Sequence, residues 1–181
     1  LISVIANVQQ EPNQFCSANM LVFEDDSFTA PFRVVQRNGK TIGITSVIGS
    51  EHLARFSEDD EYTVADPAES LAKVVNNALF AACDVKVLVA QSDVESCRKL
   101  AQQFPVFDLL VTAGGSGDPT LMPEQIPIRG GQTAMVQVGV KGMYVGIVGV
   151  DFENGQKAIR YQRVPLDARF KDPDDIKLRF L

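Results

Sequence analysis

The stretch that most constrains this chain is residues 84–119, DVKVLVAQSDVESCRKLAQQFPVFDLLVTAGGSGDP. Residues 85–90 and 107–111 are short apolar runs of the kind that form strands buried on both faces of a parallel sheet. Between them Val94, Cys97, Leu100, Ala101 and Phe104 recur at helical spacing. The segment therefore reads as strand, crossover helix and strand, with one apolar helix face laid on the sheet. Ligands of open α/β folds sit beyond the carboxyl ends of the strands, which directs attention to residues 90–93 and 112–118.

The rest of the chain extends this unit in both directions. Residues 1–8, LISVIANV, have a strand-like pattern, and the polar residues after them form a turn or loop. Residues 32–36 alternate toward Arg37-Asn38-Gly39-Lys40, and residues 40–49 supply a returning strand, so Asn38-Gly39 predicts a hairpin. Asp66-Pro67 with Glu69 is a helix start: an N-cap carboxylate, a proline at the first helical position and an acid in the first turn. Leu71, Val74, Val75, Ala78, Leu79 and Ala82 form the expected buried face of that helix. Residues 40–111 thus form a β-α-β-α-β series whose right-handed crossovers put the helices on a sheet face. After Pro119, strands are expected over residues 124–129, 133–138, 143–152 and 157–164, separated by glycine-rich turns. Connections that short predict an antiparallel meander. Asp172-Pro173 signals one more helix, which ends on Leu178, Phe180 and Leu181 and is expected to continue into, or pack on, something beyond this chain.

These patterns predict an α/β fold whose mixed sheet carries a C-terminal antiparallel meander, with residues 1–181 as one domain. Apolar residues at 45% and charged residues at 22% fit an ordinary globular core. The net charge of -6, with no basic stripe, argues against a nucleic-acid polymer as partner, because phosphate backbones are held by clustered Lys and Arg. Residues 143–150 are the longest nearly apolar run, less than half the ~20 residues a membrane-spanning helix needs, so no membrane span is expected. The chain opens at Leu1 inside a strand-like run, the pattern of a fragment or a trimmed product. Cys16, Cys83 and Cys97 lack the spacing of a zinc cluster or a haem attachment site, and Cys83 and Cys97 read as core thiols. Their disulfide state stays open.

The candidate chemistry is sparse. Ala113-Gly114-Gly115-Ser116-Gly117-Asp118 has enough glycine to cradle an anion with backbone N–H groups. It lacks the Lys-Ser/Thr of a P-loop, the helix that follows a dinucleotide-binding fingerprint and the last glycine of a nucleophile elbow. A tight turn is the plainer reading, with an anion site as the alternative. His52, the single histidine, reads as a surface residue rather than as a general base with Glu51 or a lone metal ligand. Asp93 and Asp118 each follow a strand end, where they would either face solvent or share one weakly held cation. The acidic residues Asp25, Asp26, Glu58, Asp59, Asp60 and Glu61 read as solvated loops.

The order of these motifs resembles the calcineurin-like metallophosphoesterases, in the branch of the 5′-nucleotidases and 2′,3′-cyclic-nucleotide phosphodiesterases. Ile5-Ala6-Asn7-Val8 is similar to the strand after that family's Asn-His-Glu motif. Residues 34–49, with Asn38-Gly39-Lys40-Thr41-Ile42-Gly43-Ile44, resemble its hairpin. Residues 66–89 resemble its helix and entry strand. GQTAMVQVGVKGMYVGIVGVDF, residues 131–152, resembles its Gln-x-Gly and Gly-x-Tyr-x-Gly hairpin, and residues 166–176 resemble its exit. The likeness implies a four-layer α/β/β/α sandwich of which this chain is the second half. It also implies export, periplasmic or secreted, and partnership with the missing N-terminal half or other domains of a parent protein. A half-sandwich should leave one apolar sheet face uncovered, so self-association is a further expectation.

The resemblance also places metal-binding histidines after the two strand ends, where this chain carries Gln91-Ser92-Asp93 and Thr112-Ala113-Gly114-Gly115-Ser116-Gly117. A metal pair held about 3.5–4 Å apart needs several carboxylate, imidazole or amide ligands, and a glycine offers no side chain. The expected pocket is therefore Gln91, Asp93, Gly114, Gly115, Ser116 and Asp118, with no catalytic residue, no metal ligand and no cofactor. The expected function is a catalytically degenerate phosphoesterase-like binding or scaffolding module of a larger exported protein. The alternative is a metal-dependent hydrolase of nucleotides or other phosphate esters, with a divalent pair and a site completed by further sequence. Binding of a small molecule at the glycine loop without chemistry is a third reading.

Overall fold

The computed structural model describes residues 15–22, 29–56, 61–114, 119–139, 142–153 and 155–170. The strand expected over residues 1–8, the acids Asp25, Asp26, Glu58, Asp59 and Asp60, the loop residues Gly115, Ser116 and Asp118, and the helix start at Asp172-Pro173 lie outside the described residues.

The hairpin forms where Asn38-Gly39 puts it. β2 (Arg33–Arg37) runs antiparallel to β3 (Lys40–Ile48), and Arg37 pairs with Lys40 across the two turn residues. Asn38 and Gly39 have φ of 50° and 72°, the left-handed backbone that a type I′ turn requires. A 3₁₀ turn over Ser50–Arg55 follows β3, and the short strands β1 (Met20–Val22) and β4 (Tyr62–Val64) pair with each other. Helix α1 (Pro67–Val75) begins as the sequence predicts, with the Asp66 carboxylate accepting the Glu69 N–H at 2.9 Å.

The expected continuous helix through Ala82 is corrected. The chain breaks at Asn76 and Asn77 and restarts as α2 (Ala78–Ala81), whose first turn is capped by Asn77 Oδ1 accepting the Leu79 N–H. A side chain amide that binds local backbone competes with helix continuation, and here it resets the angular register. Leu79, expected inside, is 71% exposed, while Phe80 is fully buried. Its ring meets Phe32 and Phe107 edge-on, with centroids 5.5 and 6.1 Å apart.

The strand-helix-strand part of the organising stretch folds as read: β5 (Val85–Gln91), α3 (Val94–Gln103) and β6 (Leu109–Thr112). With β7 (Glu124–Ile128) and β8 (Gly131–Gln137) they complete a six-stranded sheet in the order β2-β3-β5-β6-β8-β7. β3, β5, β6 and β8 are parallel, and the edge strands β2 and β7 are antiparallel. Leu88, Ala90, Leu110 and Met135 point to the helix side, where Leu71, Cys97 and Leu100 close the main core. Cys97 is buried there, and Cys83 is buried just before β5, both as free thiols.

The continuous C-terminal meander is also corrected. β8 is flanked by β7 and β6 and so has no edge left for a successor. β9 (Tyr144–Glu153) and β10 (Gln156–Pro165) instead form a separate antiparallel hairpin. Gly139 and Gly142, at φ 70° and 61°, flank the connection that carries the chain out of the sheet. Val148, Ile159 and Tyr161 of this hairpin pack on Leu109, Ala134 and Val136, on the sheet face opposite the helices. Lys157 fixes it at one end through Asp108 at 2.6 Å and the Asp84 carbonyl at 2.8 Å, and Arg163 at the other through the Pro119 carbonyl at 2.9 Å.

Candidate functional site

The carboxyl ends of β3, β5 and β6 meet at Gly49, Gln91 to Asp93, and Thr112 to Gly114. The parallel register brings them together: Ile48 is opposite Gln91, and Ala90 is opposite Thr112. The Gly49 N–H donates to the Gln91 carbonyl at 2.9 Å, and the Ala113 N–H donates to the Ala90 carbonyl at 3.2 Å.

The centre of this edge is occupied by hydrogen bonds. Ser92, fully buried, donates its hydroxyl to Glu51 Oε1 at 2.7 Å, and the same oxygen accepts the Asp93 N–H at 2.6 Å. The buried Thr112 hydroxyl donates to the Ser92 carbonyl at 2.7 Å and accepts the Gly114 N–H at 3.0 Å. Burial pushes the Glu51 carboxyl up, but hydrogen bonds from its own backbone, Ser92 and Asp93 outweigh this and hold it below the usual range. Glu51 comes from the 3₁₀ turn after β3, so the network spans three strand ends.

Of the predicted pocket residues, Gln91, Asp93 and Gly114 are described, and the structure gives each a different setting. Gln91 is exposed and in register with Ile48, on the face shared with Val87 and Val89, away from the helices. Asp93 is committed to capping α3: its carboxylate accepts the Ser96 N–H at 2.7 Å and the Ser96 hydroxyl at 2.9 Å, which lowers its pKa. Gly114 lies against the β5 turn, where an added Cβ would overlap the Ser92 carbonyl group and stand 2.8 Å from the Asp93 nitrogen. Gly115, Ser116 and Asp118 are outside the described residues. His52, expected at the surface, is only 20% exposed in its side chain, with Nε2 3.9 Å from Glu51 Oε1. Among the described residues no cluster of three or more His, Cys, Asp or Glu side chains could hold a metal ion.

Beside this edge lies a cleft of about 180 Å³ between the starts of α1 and α3, lined by Glu51, Asp66, Ser92, Ser96 and Lys99 among others. A larger cleft of about 320 Å³, lined by Asp108, Gln125, Gln132 and Lys157 among others, opens at the amino ends of the parallel strands, remote from the predicted pocket. Sequence reasoning missed Glu51, Ser92 and Thr112 as a unit. Single Glu, Ser and Thr residues separated by tens of positions carry no spacing signal; the parallel register joins them.

No protein-family model and no curated protein matches the chain by sequence. Solved structures do match its fold. A protein of Staphylococcus aureus assigned as a 5′-nucleotidase superposes with a TM-score of 0.70 at 16% identity, over 97% of this chain and 37% of its own. The 5′-nucleotidase precursor of Thermus thermophilus gives 0.67 at 21% identity, over 83% and 33%. The calcineurin-like phosphoesterase YfkN of Bacillus subtilis gives 0.61 at 13% identity, over 87% and 57%. The architecture is thus a mixed α/β sheet with a C-terminal hairpin, structurally similar to part of calcineurin-like phosphoesterases. More narrowly it is a 5′-nucleotidase-like fold, of which this chain spans about a third of the length of the two 5′-nucleotidase structures.

Proposed function

We propose that this domain is a catalytically degenerate member of the phosphoesterase-like fold class, acting as a binding or scaffolding module of a larger exported protein. The observation that carries the reading is at the carboxyl edge of the sheet. Gln91 projects to the open face, Asp93 caps a helix and Gly114 has no room for a side chain, so the described residues there do not fit a dinuclear centre. A phosphoryl-transfer site of this kind needs ligands that converge on two ions, which these three residues do not provide.

The hairpin supplies part of a second β layer, and the remaining half of a four-layer sandwich would cover the rest of that face. The hairpin's inward residues reach Leu109, Ala134 and Val136, while Val35 and Val89, toward the other side of the sheet, stay 41% and 39% exposed. That strip, which has no second layer among the described residues, is where the N-terminal half of a parent chain, or a second copy, would bury apolar area.

Elemental analysis of purified protein, with an assay on a chromogenic phosphate ester, tests the catalytic side. The expected result is less than one equivalent of Mn, Fe or Zn and no turnover above background. Two equivalents of metal with steady turnover would establish instead a metal-dependent hydrolase whose ligands come from other residues.

A further inference from the structure

We infer that Glu51, Ser92, Thr112 and Gly114 form a metal-independent clamp across the ends of β3, β5 and β6, built over the place where the resemblance expects metal ligands. The inference deepens the proposed function by assigning what this edge does in place of holding ions. Each component faces the next. Ser92 is wholly buried and turns its hydroxyl toward Glu51 and its carbonyl toward Thr112. Thr112, also wholly buried, is donor to β5 and acceptor for the chain leaving β6. Glu51 carries the tie to β3 and at the same time accepts the Asp93 N–H at the start of α3.

The close approach that makes the clamp also closes the position to side chains. With Gly114 N–H on the Thr112 hydroxyl, its Cα sits over the Ser92 carbonyl, and any Cβ would meet backbone that cannot swing aside. Gly49 is the counterpart on β3, where a Cβ would overlap the Glu51 carboxylate and the Ser92 hydroxyl. A histidine placed at 114 would therefore break the clamp before it offered an imidazole to a metal. Opening the clamp leaves the buried Ser92 and Thr112 hydroxyls without their partners, a loss that a lone ligand does not compensate.

Urea unfolding of the whole chain, with amide hydrogen exchange, provides the test. Gly114→Ala, the smallest side chain, should lower the folding equilibrium constant at least tenfold and abolish protection of the Gly114 amide. Glu51→Ala and Thr112→Val should each lower it by about tenfold to a hundredfold, the range for a lost hydrogen bond to a buried or charged partner. Their double mutant should be less destabilised than the two losses combined, since both act through Ser92. EDTA should leave the wild-type midpoint unchanged. A neutral Gly114→Ala, strictly additive losses or a midpoint that falls with EDTA would each overturn the clamp. Phosphoesterase turnover alongside an intact clamp would instead overturn the proposed function and leave this inference standing.

Discussion

Asp84 shows how much a single residue at a strand entrance can do. Its carboxylate accepts the Thr41 N–H and the Thr41 hydroxyl, both at 2.9 Å, and Lys40 Nζ at 3.2 Å, which tie the start of β5 to the start of β3. The Thr41 backbone and hydroxyl donors, followed by Lys40, hold its pKa at about 2, below the usual 3.8. A folded pKa below the unfolded one means the stabilisation is complete above the unfolded value and is lost as pH falls through the folded one. Carboxyl NMR should place the Asp84 midpoint near 2, and Asp84→Asn should flatten the acid limb of the stability profile between about pH 4 and 2. A midpoint near 3.8 would remove Asp84 from this role. The signal for Asp84 is partly in the chain, since an aspartate directly before an apolar strand reads as the entry to β5. Its partners Lys40 and Thr41 become partners only through the parallel register.

At the scale of elements, the break between α1 and α2 is the sharpest departure from periodicity. Helical spacing puts Leu79 on the same stripe as Leu71 and Val75, yet Leu79 is the exposed residue and Phe80 the buried one. Two consecutive asparagines supply local hydrogen bonds, and the main core has a ring-sized space between Phe32 and Phe107. Tertiary packing therefore wins over stripe continuity. Leu79→Ala should change stability by less than about 0.5 kcal/mol, as exposed substitutions do, and Phe80→Ala should cost about 3–5 kcal/mol, as buried aromatic truncations do. Denaturant titration of the two variants discriminates directly: a reversed ranking would restore the continuous helix. The Asn38-Gly39 hairpin and the Asp66-Pro67 helix start were legible because their signals are short-range and their backbone demands are met within a few residues. The fate of β8 was not legible, because an antiparallel partner for β7 and a parallel partner for β6 look alike in a sequence window.

At the scale of the whole molecule, the sheet has one face closed by helices and the other closed over part of its width by β9 and β10. Val35 and Val89 lie on the part of that face with no second layer among the described residues. Sedimentation should show reversible, concentration-dependent self-association, and Val89→Lys should shift it toward the monomer; a monomer at every concentration would remove the second copy as an occupant. By itself the sequence determined the β-α-β-α-β series, the hairpin turn, the core thiols and the identity of the residues that occupy the two strand ends, because periodicity, turn chemistry and motif order are local properties of a chain. Only the tertiary structure decided that Gly114 presses on Ser92, that Glu51 reaches across to Ser92 and Asp93, and that the last hairpin leaves the sheet. Those outcomes depend on distances between segments far apart in sequence, which strand register and layer packing fix and no local pattern encodes.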